Sequence, residues 1–169
     1  MKRTGAFLTT CKLTPMPDGE TWRLYGPLKY RGASGEIINV PEGFVTDLAS
    51  IPPVAWIGGV LVILGLGFDW LNSWSNIAIA LGLLFVFLSP YLRHDGKYTD
   101  AAVVHDYIYR IHMFPRWHCD GLFLEMMKVL HVTLWQRWII YLNVRAFGFM
   151  AWRNEKRWIN IPVIHLTKP

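Results

Sequence analysis

The middle of the chain restricts its folding more than any other stretch. Residues 54–68 carry no charge, residues 77–88 are equally apolar, and the polar octet DWLNSWSN (69–76) lies between them. Two apolar runs of helical length around a short polar tip predict a helical hairpin. A helix covering a water-soluble core usually keeps a polar face at helical spacing, and residues 57–68 keep none. Trp56, Trp70, Trp74 and Tyr91 fall near the ends of the runs, where aromatic side chains favour the boundary between hydrocarbon and water. The hairpin is therefore expected to enter a bilayer, with burial in a soluble core as the ordinary alternative. Crossing takes about twenty helical residues. The second run approaches that by recruiting 74–76 and 89–92, the first by beginning at Pro53. A transmembrane hairpin is the expected form, and one that dips into a single leaflet is its rival. Arg93, Lys97 and Arg110 stand on the body side against Asp69 alone at the tip, which places the body in the cytoplasm by the positive-inside rule.

The totals agree with a lipid partner. Hydrophobic residues make up 53% of the chain and charged residues 17%, against about 25% charged in an ordinary soluble domain. A net charge of +5 suits anionic headgroups. The basic residues are scattered and the aromatics lie among apolar partners, so nucleic acid is an unlikely ligand. A length of 169 residues fits one domain, 1–169, with 54–92 inserted as a membrane hairpin. Cys11 and Cys119 are too few for a disulfide framework or a zinc knuckle and are expected as packed, reduced thiols. The N-terminus has two basic residues but no apolar core of signal-peptide length.

The opening third reads as β-structure. Residues 6–13, 21–30 and 36–40 are rich in aromatic, Thr and β-branched residues, and the turn clusters PMPDG and RGASG separate them. They predict a small antiparallel sheet, packed in part by Trp22 and Tyr25. Residues 41–53, PEGFVTDLASIPP, read as a loop in which Thr46, Asp47 and Ser50 form local turns or caps.

The chemistry concentrates in residues 99–124, TDAAVVHDYIYRIHMFPRWHCDGLFL. On a helix His105 and Tyr109 share a face, and Asp106 projects about 100° away. Pro115 breaks the pattern, and a second helical run starts near Asp120 with Leu122, Phe123, Met126, Met127 and Leu130 at helical spacing. Helices joined by so short a connection tend to lie antiparallel, which would set Asp120 opposite His105, with Tyr109 beside it and Phe123 behind. A carboxylate holding an imidazole is an arrangement for activating water. The plain alternative is a structural His-Asp pair, with Asp120 and Glu125 near the favoured acidic end of a helix.

The string D-A-A-x-x-H-D-x-x-Y, followed by D-x-x-F, resembles the catalytic helices of phospholipase A2, especially the viral capsid-associated form. That resemblance implies His105 as general base for a water, Asp120 orienting it, Tyr109 steadying Asp120, and Asp106 binding calcium. The Gly-rich calcium loop and flanking cysteines of the secreted enzymes are missing. Since calcium takes six to eight oxygens, Asp47 and the carbonyls of its loop are the candidate partners of Asp106. The blocks GFVTDLASIP and AAVVHDYIYR, with PDGETWRLYGPLKY and DGLFLEMM, resemble an uncharacterised phage and prophage family, domain of unknown function 1353. The apolar insertion between Trp56 and Tyr98 departs from that family's pattern.

Residues 131–152 predict a third helix, with Leu134, Trp135, Trp138, Tyr141, Leu142 and Phe149 over more than half its circumference, suited to packing on one side and lipid on the other. Arg153, Lys156 and Arg157 with Trp152 and Trp158 read equally as an interfacial anchor or as an ordinary solvated basic turn, and 158–166 as a final strand.

The expected fold is thus α+β: a small N-terminal antiparallel sheet, then phospholipase A2-like antiparallel helices, with the apolar hairpin inserted. The expected activity is calcium-dependent hydrolysis of phospholipid esters at the host inner membrane or from the virion. Its rival is a non-enzymatic membrane or virion protein working with other phage proteins. A metal phosphohydrolase using His94, His105, Asp106 and Asp120 as ligands is a third reading.

Overall fold

The computed structural model describes residues 4–48, 54–67, 73–88 and 97–153. The chain divides into two compact units, Met1–Ser50 with Lys97–Pro169, and Ile51–Gly96. The fold is α+β, with two small antiparallel sheets and five helices among the described residues.

In the first unit, β1 (Ala6–Phe7), β4 (Leu28–Arg31) and β5 (Ile37–Val40) form one sheet, and β2 (Leu13–Pro15), β3 (Trp22–Leu24) and β6 (Val45–Thr46) form the other. The expected single sheet is two because the run 21–30 breaks at Gly26, whose φ of 84° is a left-handed conformation that glycine adopts at little cost. Trp22 and Tyr25 are exposed rather than packed. Strands β4 and β5 pair Leu28 with Val40 and Arg31 with Ile37. Alternation puts Leu28, Tyr30, Ile38 and Val40 inside and Lys29 and Arg31 outside. Strand β6, which pairs Trp22 with Thr46 and Arg23 with Val45, lies in the stretch expected as loop.

Helices α3 (Thr99–Arg110), α4 (Arg116–Val129) and α5 (Leu134–Arg153) complete this unit. Every residue of α3 from Ala101 to Tyr109 is buried, since small Ala and Val side chains at its start admit close neighbours on all sides. Pro115 is the N-cap residue of α4, where its missing N–H costs nothing. The helix thus begins at Arg116, not near Asp120. His118 consequently lies in α4, with Nε2 3.6 Å from Glu36. Glu125 of α4 ties the helix to the first sheet: its Oε1 accepts from the Tyr30 hydroxyl at 2.6 Å and from the Ala33 N–H at 2.9 Å. Both cysteines are free, Cys119 fully buried, and burial pushes both thiols up to about 12.

The second unit is a hairpin of α1 (Val54–Gly67) and α2 (Ser73–Leu88). At 14 and 16 residues the helices are roughly 21 and 24 Å long against a hydrocarbon core of about 30 Å. Among the described residues no helix is long and apolar enough to cross a membrane. Gly82 sets the closeness of the two helices, for a Cβ there would stand 2.6 Å from the Gly58 carbonyl oxygen. Gly82→Leu is expected to force the pair apart and cost about 1–3 kcal/mol, read as a lower melting temperature and as faster proteolysis within 54–88. Unchanged protection there would contradict this packing. The basic anchor at 156–158, the strand at 158–166 and His94 lie outside the described residues.

Candidate active site

Helix α3 turns its chemistry in two directions. His105 and Tyr109, one helical turn apart, face α4, whereas Asp106 faces β6. His105 Nε2 lies 3.4 Å from Asp120 Oδ1, and the Tyr109 hydroxyl donates to the same oxygen. Phe123, one turn beyond Asp120 on α4, stacks on the imidazole with centroids 4.6 Å apart and planes at 25°. The Tyr109 ring touches the imidazole from another side, centroids 4.1 Å apart. His105, Tyr109 and Asp120 are 2%, 6% and 0% exposed, which leaves the imidazole one set of neighbours and little freedom to turn. The four residues singled out in the sequence, with Phe123 behind them, are all buried around α3.

The other oxygen of Asp120 belongs to arginine. Arg145 of α5 donates from Nη1 to Oδ2 at 2.8 Å. Arg116, one turn before Asp120, holds Nε 3.7 Å from Oδ2 and donates from Nη2 to the Arg145 carbonyl at 2.6 Å. Burial alone would raise the Asp120 pKa. Hydrogen bonds from His105, Tyr109 and Arg145 outweigh it and hold the carboxyl below its ordinary range. Burial first, then Asp120, push the Tyr109 phenol up, so it remains a donor. Gly148 leaves room for that hydroxyl, since a Cβ there would lie 3.1 Å from it. Trp152 packs edge-on against Tyr109 and stacks on His112.

These arginines were not legible as site residues. Arg116 could have been found from its i, i+4 spacing to Asp120. Arg145 is 25 residues away on another helix, and its one signal is a charge inside an otherwise apolar stripe.

Asp106 accepts a hydrogen bond from Thr46 Oγ1 at 2.5 Å, and the Leu48 N–H donates to that hydroxyl at 3.0 Å. Thr46, expected as a local turn former, thereby joins β6 to α3. The Arg110 guanidinium stands in the field of both Asp106 and Asp47, so the two acids paired from the sequence do share a neighbourhood. It already holds a cation. Among the described residues no group of three or more His, Cys, Asp or Glu side chains is placed to hold a metal ion. Two carboxylates that share the field of an arginine do not supply the oxygen-rich shell that calcium requires.

A family model described as "Protein of unknown function (DUF1353)" matches residues 22–61 and 86–144, more than half of the chain. The match spans Thr46, Asp47 and the His105–Asp120 cluster, and its interruption falls within the hairpin. No curated protein and no solved structure matches the chain.

Proposed function

Starting from a chain that belongs to the DUF1353 family, we propose a hydrolase of phospholipid esters in which His105 is the general base. One observation carries this reading: the imidazole and the Tyr109 phenol converge on a single oxygen of a fully buried carboxylate. With Nε2–H donating to Asp120, Nδ1 is the acceptor nitrogen. It takes a proton from water as the water oxygen attacks the ester carbonyl, and Asp120 stabilises the imidazolium that forms. The proton then passes to the leaving alcohol as the C–O bond breaks, giving a fatty acid and a lysolipid. Tyr109 holds Asp120 in line. The phospholipase A2-like string D-A-A-x-x-H-D-x-x-Y supports the same roles, and a phage or prophage setting would make the host inner membrane the substrate.

The hairpin supplies the address. Val60, Ile63, Leu64 and Leu66 of α1 and Ile77, Leu81, Leu83 and Leu84 of α2 are exposed, a surface that lipid would cover. Helices of roughly 21–24 Å suit insertion into one leaflet better than a full crossing.

A second reading has its own support. His105, Asp106 and Asp120 are all at most 5% exposed, as they would be in a polar knot that locks α3, α4 and α5 together in a non-enzymatic membrane protein. The purified chain, presented with phospholipid vesicles, decides between them. Release of lysolipid and fatty acid in equal amounts is the result expected of the hydrolase. Intact lipid after prolonged incubation with folded, vesicle-bound protein would leave the knot.

A further inference from the structure

Arg145 joins the buried dyad to the outer surface of α5. Trp138, Leu142, Arg145 and Phe149 follow one another at spacings of four, three and four, so they form one stripe on a helix. Trp138, Leu142 and Phe149 are 46%, 58% and 45% exposed, and the Arg145 side chain is 39% exposed while bonded to Asp120. Helix α5 contains three arginines and no acidic residue. An open stripe of Trp, Leu and Phe on a helix whose only charged residues are arginines fits a surface that is apolar below and anionic above, as the headgroup layer of an acidic bilayer is.

We propose that this stripe docks on anionic phospholipid and that Arg145 reports the docking to the dyad. Undocked, the guanidinium neutralises Asp120 through Oδ2. Docked, headgroup phosphates compete for the same guanidinium, which binds phosphate as well as carboxylate. The charge of Asp120, still met by Tyr109 and Arg116, is then less neutralised, and the imidazolium formed during water activation is better stabilised. Arg145 is a positioning residue that restrains the dyad away from lipid and releases it on contact.

The kinetic consequence rests on the hydrolase reading, whereas the binding consequence does not. The full chain is assayed on phosphatidylcholine vesicles with and without phosphatidylglycerol, for both co-sedimentation and product release. Wild type should bind and hydrolyse the mixed vesicles about tenfold better, within the usual span of coupling between sites. Arg145→Gln should hydrolyse pure phosphatidylcholine near the wild-type rate on mixed vesicles and lose the preference. A Trp138→Gln/Phe149→Gln double variant keeps the Arg145–Asp120 pair but removes apolar contacts, so it should bind both kinds of vesicle more weakly and lose the stimulation of rate by phosphatidylglycerol. If no condition gives product, an anionic increment in binding that Arg145→Gln abolishes, together with weaker binding of the double variant to both kinds of vesicle, still supports the docking and the phosphate contact, and only the hydrolase fails. Three results would overturn the proposal: binding that ignores lipid charge, an Arg145→Gln protein still stimulated by phosphatidylglycerol, or equal stimulation by inorganic phosphate. A dimer through α5 that the double variant dissolves, without any lipid preference, would assign the stripe to a second copy instead.

Discussion

Asp120→Ala is expected to destabilise the protein by about 3–5 kcal/mol, the usual effect of removing one partner from a buried ionic cluster. Three donors lose their acceptor together: the His105 ring, the Tyr109 hydroxyl and the Arg145 guanidinium. At this chain length the loss corresponds to a melting temperature lower by about 6–20 °C. Asp120→Asn preserves the shape and isolates the charge. Because the folded protein holds this carboxyl below its ordinary range, its contribution is fully present above the unfolded value of about 3.9 and is lost as pH falls through the folded value. The stability difference between wild type and Asp120→Asn should therefore shrink below about pH 4. A difference that instead grows below about pH 4 would mean that the carboxyl is protonated in the native state.

His105→Gln should separate catalysis from folding. A glutamine Nε2–H can still donate toward Asp120, so stability should fall by only about 1 kcal/mol, largely the lost stacking on Phe123. No nitrogen of that amide can take a proton from water, and lipid hydrolysis should fall by about 10²–10⁴-fold. Rates within threefold of wild type in a folded His105→Gln protein would remove the general base from the mechanism. Measuring both quantities on one preparation matters, since Asp120→Ala lowers both and cannot distinguish the two roles.

What the sequence made visible follows the range of each interaction. His105 and Tyr109 are one turn apart, so their common face could be read from spacing alone. Pro115 announced the change of direction that returns Asp120 to His105, although α4 starts four residues before Asp120. The apolar runs at 54–88 announced a hairpin, and the described helices, 14 and 16 residues long, are shorter than a bilayer crossing requires. Single positions decided the rest. Gly26 divides the expected sheet, and Thr46 looked like a turn former until β6 carried it to Asp106. Arg145 owes its place to the packing of α5 on α4, which no local pattern encodes. The same is true of Arg110, whose position on α3 is plain but whose acidic neighbour Asp47 comes from the far side of the hairpin in sequence.

His105 can draw a proton from water in this dyad only if its ring carries its own proton on Nε2. Nitrogen-15 NMR of the neutral imidazole should find the proton on Nε2, directed at Asp120, with Nδ1 as the acceptor, and the signal should shift in Asp120→Asn. A proton on Nδ1, or ring resonances indifferent to residue 120, would contradict a dyad built to draw a proton from water.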